Sequence, residues 1–265
     1  MLSAKAALAE FEIQETEVEK GETEFEYRGA VHWGFPKQES EQAADAGEEE
    51  EGEFLRQSHD LEFQYGLTER WMISTALSAD EPLDEDFNLS SVEIELQYEV
   101  IAREGNGFGL AFIGAYGFAT RGGEADEIEF APFFELARGN FLFTGNPIFT
   151  AQVGDHRQTD SLGFDYGWRA EYDFAKHWGI GVEMFGEIED LSNSGSFEDQ
   201  PHSIGPTLFF NPGDKDDDSV GQATTQEEHE PEPSKMEFTL NVGVQFGLTD
   251  ATSDTALKFQ GALSF

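Results

Sequence analysis

The chain has 265 residues, and its 55 Asp and Glu residues against 15 Lys and Arg residues give a formal net charge of -40. This acidity excludes a general nucleic-acid-binding protein, which needs a basic surface against phosphate, and points to cations, basic partners or repulsion between copies. The sequence contains no cysteine, so it has neither a disulfide framework nor a thiolate metal site. No apolar run reaches the roughly 18 residues that predict a transmembrane helix.

The first 21 residues are predicted to precede the main domain. Ala7-Leu8-Ala9 is a small-x-small pattern like the end of a secretory signal. One interpretation is a trimmed precursor whose mature part begins near Glu10, and an ordinary flexible N-terminus is the alternative. Residues 10–21 are acidic and lack a long apolar face, so we expect an N-terminal arm there and a single domain over residues 22–265.

From residue 22 onward, apolar and polar residues alternate in run after run. The clearest run spans residues 92–100, where Val92, Ile94 and Leu96 alternate with glutamates and a glutamine. A period of two predicts a β-strand with one apolar and one polar face. The runs are about 10–13 residues long, as membrane-crossing strands are, and turn signals separate them into twelve predicted strands.

An even number of strands places both chain ends of an up-and-down barrel on the same side. One rim is predicted to carry the short turns at 68–70, 103–107, 138–140 and 175–177, and the other the loops at 36–54, 79–88, 120–125, 154–160 and 189–202. Two segments are Glu/Asp-rich insertions, 36–54 and 212–233. The second falls on the short-turn rim, so either a strand is miscounted or the barrel carries a long loop on that side.

Alternation alone does not say which face of a strand points outward. In a soluble barrel the apolar face fills the interior, whereas in a membrane barrel it faces lipid. Twelve long strands enclose more volume than their own side chains fill, which favours the membrane barrel. Aromatic residues near the strand ends also match interfacial girdles: Tyr27, Trp33, Trp71, Phe118, Phe141, Phe174 and Trp178. The predicted fold is therefore an all-β, closed, antiparallel transmembrane barrel.

The last predicted strand places Phe259, Gly261, Leu263 and Phe265 on one face. This pattern resembles the closing strand of Gram-negative outer-membrane β-barrels. The resemblance implies an assembly signal in these four residues, a location in the outer membrane, and contact with lipid, lipopolysaccharide and the barrel-assembly machinery.

The tandem hairpins are similar to those of a broader group. The turn at residues 65–71 (YGLTERW), the segment 246–250 (FGLTD) and the terminal Phe265 resemble uncharacterised, transporter-like or porin-like outer-membrane barrels, including putative components of phenol-degradation pathways. The likeness covers about residues 22–265. The acidity and the two acidic insertions depart from the pattern, which leaves any shared substrate open.

With the apolar face toward lipid, the polar face lines a lumen rich in carboxylates. The predicted lumen-lining residues are Glu24, Glu26, Asp60, Glu62, Glu93, Glu95, Glu99, Glu127, Glu129, Glu135, Asp165, Glu171, Asp173 and Glu183, with Glu187 and Glu237 on the same face. The bases on this face are Arg28, Arg56, Arg169 and Lys258. Rings of carboxylates attract cations, so the hypothesis is a cation-selective conduit. The alternative is that these residues are ordinary polar wall residues, some of them paired to the four bases.

Other chemistry has little support in the sequence. The six histidines lack the spacing of zinc ligands, and no Ser–His pair indicates a hydrolase, so we expect neither an enzyme nor a bound cofactor or metal. The acidic loops are expected at most to bind divalent cations loosely. Gly109, Ala111, Ala115, Gly117 and Ala119 give one strand a small inward face, which suits a plug, a passage or bulky neighbours.

Three functional hypotheses follow from these patterns. The first is a channel that passes cations or small solutes without chemistry. The second is a membrane-anchored structural or interaction barrel with a blocked lumen and cation-binding acidic loops. The third is a soluble halophilic β-protein, against which the 25 phenylalanines argue.

Overall fold

A computed structural model describes residues 11–34, 55–81, 86–212 and 236–265. Its twelve strands are β1 (Thr23–Trp33), β2 (Leu55–Gly66), β3 (Trp71–Glu81), β4 (Asn88–Ile101), β5 (Phe108–Ala119), β6 (Asp126–Arg138), β7 (Phe141–Val153), β8 (Leu162–Ala175), β9 (Trp178–Ile188), β10 (His202–Phe210), β11 (Glu237–Gly247) and β12 (Thr255–Ser264). A single 3₁₀ turn, Phe197–Asp199, is the other regular element in these ranges. None of the described helical segments is long and apolar enough to span a membrane.

Each strand pairs antiparallel with its neighbours in sequence, and β1 closes the barrel against β12. The closing register runs from Glu24 opposite Ser264 to Trp33 opposite Thr255. Below it, Thr23 and Phe265 exchange two backbone hydrogen bonds of 2.9 and 3.0 Å. The predicted fold, a closed up-and-down barrel of twelve strands, is confirmed.

The strand count decides where the connections lie. Short turns follow β2, β4, β6 and β8, and β10 ends on the same rim as these four strands. No strand is therefore miscounted ahead of the acidic insertion predicted at 212–233. Apart from Pro212, this insertion and the one at 36–54 lie outside the described residues.

The outer wall carries the apolar face of every strand. Leu61, Ile94, Phe130 and Ile180 are among its many exposed apolar side chains. Aromatic pairs recur at the short-turn rim with similar geometry: Trp71–Tyr98, Phe141–Tyr172 and Trp178–Phe210 have ring centroids 4.6, 4.7 and 4.6 Å apart. Each pair joins directly opposed residues of neighbouring strands. This belt agrees with the predicted interfacial girdle.

Small residues of β5 face inward, as expected. Ala111 is buried, and Ile113 and Ala115 form a buried apolar cluster with Ala131 and Phe133 of β6. The rest of the buried interior is mainly polar, which a soluble β-domain of this size does not show. The polar face of the strands thus lies inside the barrel.

Candidate functional site

The N-terminal arm, residues 11–22, lies inside the barrel. It enters at the short-turn rim, where the Gly21 amide donates to the Gly66 carbonyl at 2.8 Å and the Gly66 amide donates to the Glu22 carbonyl at 3.0 Å. Farther in, arm residues bond to polar side chains of β1, β4, β6, β7, β8 and β12. A segment that contacts strands all round a closed barrel crosses its lumen.

The arm has two faces of its own. Ile13, Thr16 and Val18 are buried against the barrel wall, with exposed fractions of 5%, 0% and 7%. Glu15, Glu17 and Glu19 alternate with them and are exposed. The arm thus adds a row of carboxylates to the space that remains in the lumen.

Glycines of the wall make room for the arm. A Cβ on Gly109 of β5 would lie 2.5 Å from the Thr16 hydroxyl, and one on Gly167 of β8 would lie 3.1 Å from the Glu12 carbonyl. At Gly66 of β2 a Cβ would overlap the Glu19 carbonyl. The unusually small inward face that the sequence predicts for β5 therefore receives the arm at Gly109.

Asn146 of β7 holds the arm where the wall is interrupted. Its Oδ1 accepts from the Gln14 amide at 2.8 Å, and its Nδ2 donates to the Gln14 carbonyl at 3.1 Å. The β6–β7 pairing runs over Asp126–Phe130 and resumes at Phe134, with Pro147 between these two paired stretches. Proline cannot donate to a ladder, so this part of the wall is irregular and Asn146 is used by the arm instead.

Arg28 of β1 joins the arm to two wall carboxylates. Its Nη1 lies 2.8 Å from Glu12 of the arm, 2.5 Å from Glu26 and 2.8 Å from Glu62. Oxygens of the three carboxylates lie within 4.8 Å of one another, close enough to hold a metal ion together. Because the guanidinium already bridges them, the arrangement fits an internal ion-paired anchor of the arm better than a metal site.

The other lumenal bases are paired in the same way. Arg169 of β8 donates to Glu15 of the arm at 2.8 Å and lies 3.5 Å from Glu171. Lys258 of β12 lies 2.5 Å from Glu183 and donates to the Phe11 carbonyl at 3.3 Å. Both bases connect arm and wall, Lys258 through the buried Glu183 and Arg169 through the exposed Glu15.

A further anchor lies near the short-turn rim. Thr16 of the arm donates its hydroxyl to Glu135 of β6 at 2.9 Å, and Arg103 donates to the same carboxylate oxygen at 2.9 Å. The side-chain amide of Gln97 in β4 donates to the Glu15 and Thr16 carbonyls at 3.2 and 3.3 Å.

The arm has another contact near the middle of the wall, where the Gln14 side chain donates to Glu95 of β4 at 3.1 Å.

All fourteen predicted lumenal carboxylates lie on the polar face, but the structure divides them by exposure. Seven are buried, at 8% exposed or less: Glu26, Asp60, Glu62, Glu95, Glu99, Glu135 and Glu183. Seven are half-buried: Glu24, Glu93, Glu127, Glu129, Asp165, Glu171 and Asp173. Several of the buried ones hold the arm or a base, while their predicted role in lining a conduit remains a prediction. The Arg56 side chain lies outside the described part.

The arm residues that complete this site were missed from sequence. Glu12, Gln14, Glu15 and Thr16 were assigned to an arm without a location. A short signal was present, since Glu15, Glu17 and Glu19 alternate with the uncharged residues Thr16 and Val18. Only contacts with distant strands show that this alternation belongs inside the barrel.

The predicted assembly residues form part of the closing strand. Phe259 and Leu263 pair with Gly29 and Phe25 of β1, and the Phe265 ring stacks on Phe25 with centroids 6.1 Å apart. Their role in assembly stays a prediction.

No family model matches the sequence, and no curated protein matches it. Among solved structures, the chain is similar to the COG4313 outer-membrane channel from Pseudomonas putida F1, with a TM-score of 0.58 and 10% identity over 97% of this chain and 100% of that one. The KdgM porin, solved in complex with disordered oligogalacturonate, gives a TM-score of 0.48 and 8% identity over 91% and 98% of the two chains. Omp33 of Acinetobacter baumannii gives 0.42 and 9% over 93% and 98%.

At these identities the likeness concerns architecture. It agrees with the expected resemblance to porin-like barrels and with the expected location, while the phenol-pathway detail has no support. The chain has the fold of the Gram-negative outer-membrane β-barrel channels.

Proposed function

We propose that this protein is an outer-membrane channel that passes small solutes, with a preference for cations, and performs no chemistry on them. The observation that carries the proposal is the composition of the lumen surface. Glu17 and Glu19 of the arm are exposed there, Glu15 is exposed but paired with Arg169, and half-buried wall carboxylates such as Glu93 and Glu129 add to them. The described lumenal bases are each paired to carboxylates, so the remaining space is acidic. Confined carboxylates favour cation entry.

Reversal potentials in planar bilayers under a KCl gradient test this proposal. We expect cation preference in the full chain and a smaller preference after replacing Glu93, Glu95 and Glu99 together with Gln. The matched control carries Gln at three glutamates that are exposed in turns and loops, Glu69, Glu104 and Glu198. An equal loss of cation preference in both triple variants would reject a lumenal origin of the selectivity. A full chain without cation selectivity would reject it as well.

The position of the arm favours one second candidate. Because the arm crosses the lumen and bonds to opposite walls, a membrane-anchored barrel with a blocked lumen is also consistent with it. Current recordings separate the two. If the full chain gives no current, and weakening the arm through Asn146→Ala gives none either, the blocked barrel is the better description.

A further inference from the structure

The wall of the barrel is interrupted at its middle, between β6 and β7. The pairing of the two strands is continuous up to Phe130 of β6 and resumes at Phe134. Carrying the register across this interruption places Pro132 of β6 directly opposite Pro147 of β7. Each proline is the middle residue of a strand of 13 residues, so the interruption lies near the centre of the membrane-spanning wall.

The direction of the backbone shows that the two prolines remove two hydrogen bonds. The Ala137 amide of β6 donates toward β5, to the Gly107 carbonyl at 2.9 Å, and the Asn140 carbonyl accepts a hydrogen bond of 2.9 Å from the β8 side. Successive residues of a strand point alternately to its two neighbours, so the two prolines point toward each other. Other residues would exchange two N–H···O bonds there, but proline has no N–H. Over about 13 Å the two strands therefore share no backbone hydrogen bond.

Aromatic side chains frame the interruption on the outer face of the wall. On the extracellular side lie Phe130 and its partner Phe149, which are 52% and 37% exposed. On the other side the Phe134 ring covers its partner Gly145, where a Cβ would lie 2.5 Å from the ring. A molecule that arrives from the lipid therefore meets apolar surface around the two prolines.

The inner face behind the interruption is apolar as well. Ala131 and Phe133, on either side of the β6 proline, point inward and belong to the buried cluster with Ile113 and Ala115 of β5. Ile148, beside the β7 proline, packs against the same cluster. Although the buried interior is mainly polar, apolar side chains thus line the wall where its two strands are not hydrogen-bonded.

A second incomplete pairing, between β10 and β11, has a different character. It falls at Gly205 and Pro206. A Cβ on Gly205 would overlap the Val244 carbonyl oxygen, so the two backbones are in close contact there. The side chain behind them is that of Gln245, which is polar and 1% exposed. Of these two places, the β6–β7 interruption is the one with apolar surface on both sides.

Missing hydrogen bonds change how easily the two strands separate. In a membrane barrel, lipid cannot satisfy a backbone N–H or C=O that loses its partner, so paired strands stay together. Between β6 and β7 this penalty does not oppose separation, because the hydrogen bonds are already missing. Separation breaks only apolar contacts, and an apolar molecule that enters replaces them.

We propose that residues 131–133 of β6 and 146–148 of β7 form a lateral portal, through which a small uncharged apolar molecule passes between the lumen and the bilayer. The portal goes beyond the proposed cation channel, because its solute carries no charge and one end of its route is lipid. A charged solute is excluded, since it would lose its hydration between apolar side chains. At the inner end Asn146 binds Gln14, so the arm borders the route.

Photolabelling of the full-length barrel in phosphatidylcholine vesicles tests the portal. The probe is phenyl(trifluoromethyl)diazirine, a small uncharged apolar molecule that dissolves in the bilayer, and mass spectrometry locates the labelled residues. We expect labelling at Phe133 and none at Phe185, which is also buried and inward but lies behind continuous pairing on both sides. Phe133 is 2% exposed and Phe185 9%, so a probe that arrived through the lumen would label Phe185 at least as readily.

Closing the portal should protect Phe133. Pro132→Val combined with Pro147→Val restores both N–H donors, so labelling of Phe133 should fall about tenfold or more relative to Phe130 on the outer face. The matched control is Pro206→Val in β10, which should leave the labelling of Phe133 unchanged.

A reversible variant decides the case if the double valine variant fails to fold. Ala131→Cys combined with Ile148→Cys places the two cysteines of an otherwise cysteine-free chain opposite each other across the portal. Oxidation should lower the labelling of Phe133, and reduction should restore it.

The proposal is overturned if Phe133 stays unlabelled in the wild type, if Phe185 is labelled equally, or if closure leaves the labelling unchanged. Cation selectivity without labelling of Phe133 removes the portal and leaves the channel proposal standing. Labelling of Phe133 alone in a barrel without selectivity supports the portal and removes the cation preference.

Discussion

Gln14 and Asn146 hold each other through two reciprocal hydrogen bonds, although 132 residues separate them in the chain. The Asn146 side chain meets the arm backbone as a neighbouring strand would, with one donor and one acceptor. The arm is thereby fixed at the middle of the lumen, between its entry at Gly66 and Phe11, the first residue that the structure describes. How firmly it is fixed decides how much of the lumen a solute can use.

Asn146→Ala should loosen the arm without opening the barrel. The Gln14 amide and carbonyl lose their partners, which costs about 1 kcal/mol for each hydrogen bond. Because the chain has no cysteine, an Ile13→Cys variant gives a unique reporter at a buried arm position. We expect maleimide to label it about 10–30 times faster in the Asn146→Ala background, as the open fraction rises.

Asn241→Ala is the matched control for this experiment. Asn241 also lies on the lumenal face, but its side chain donates to Gln260 of β12 at 2.8 Å rather than to the arm. Equal acceleration in both backgrounds would mean that labelling reports general loosening of the barrel and not release of the arm.

Gly66→Ala should disturb the turn through which the arm enters the barrel. The new methyl group overlaps the Glu19 carbonyl, which is backbone and cannot rotate away. We expect a loss of about 1–3 kcal/mol in unfolding free energy, as for other overpacked sites, measured by urea unfolding in detergent. Gly122→Ala in a loop has open space around its Cβ and should change the free energy by less than about 0.5 kcal/mol. Similar losses of unfolding free energy in both variants would contradict the close contact between Gly66 and the Glu19 carbonyl.

Leu96→Arg tests the outward face of the strands. Leu96 is exposed on the outer wall near the middle of β4, so a guanidinium there should cost about 2–4 kcal/mol of folding free energy in a bilayer. Leu136→Arg, close to the short-turn end of β6, should cost only about 0–1 kcal/mol because its side chain reaches the interface. Refolding titrations into lipid vesicles measure both. Equal costs at the two depths would be incompatible with the assigned membrane position.

Asp199 in the loop after β9 should titrate below the usual aspartate range. Its Oδ2 accepts from the Ser196 amide at 2.9 Å and from the Ser196 hydroxyl at 2.8 Å, and these bonds lower the pKa of the carboxyl. These bonds stabilise the loop fully when the pH is above about 3.9, the pKa of an aspartate in the unfolded chain. The stabilisation is lost as the pH falls through the lower pKa of Asp199 in the folded protein. Carboxyl ¹³C titration by NMR should show this shift.

Ser196→Ala supplies the test of cause. It removes the hydroxyl and keeps the amide, so the pKa of Asp199 should rise part of the way toward its ordinary value. Asp190 is the internal control, because its pKa is lowered by hydrogen bonds from Ser192 and Ser161 and should not respond. A pKa of Asp199 that is unchanged in Ser196→Ala would exclude a contribution of the hydroxyl.

The sequence by itself determined the barrel. Alternation with a period of two is a local property of each strand, so Val92 to Val100 could be read as one apolar and one polar face without knowledge of its neighbours. The number of such runs then placed the chain ends on one rim and the insertion after Phe210 on the short-turn side. The polar face could be assigned to the interior because twelve long strands enclose a lumen.

Only the tertiary structure decided what the lumen contains. Glu26, Glu95 and Glu135 read as wall carboxylates of a conduit, yet each accepts a hydrogen bond from a residue far away in the chain, namely Gln260, Gln14 and Thr16. The period of the wall strands carries no information about a separate segment that crosses between them. Glu12 and Arg28, like Gln14 and Asn146, are an arm residue and a wall residue. They become neighbours only when the barrel closes around the arm, and no local sequence pattern records that contact.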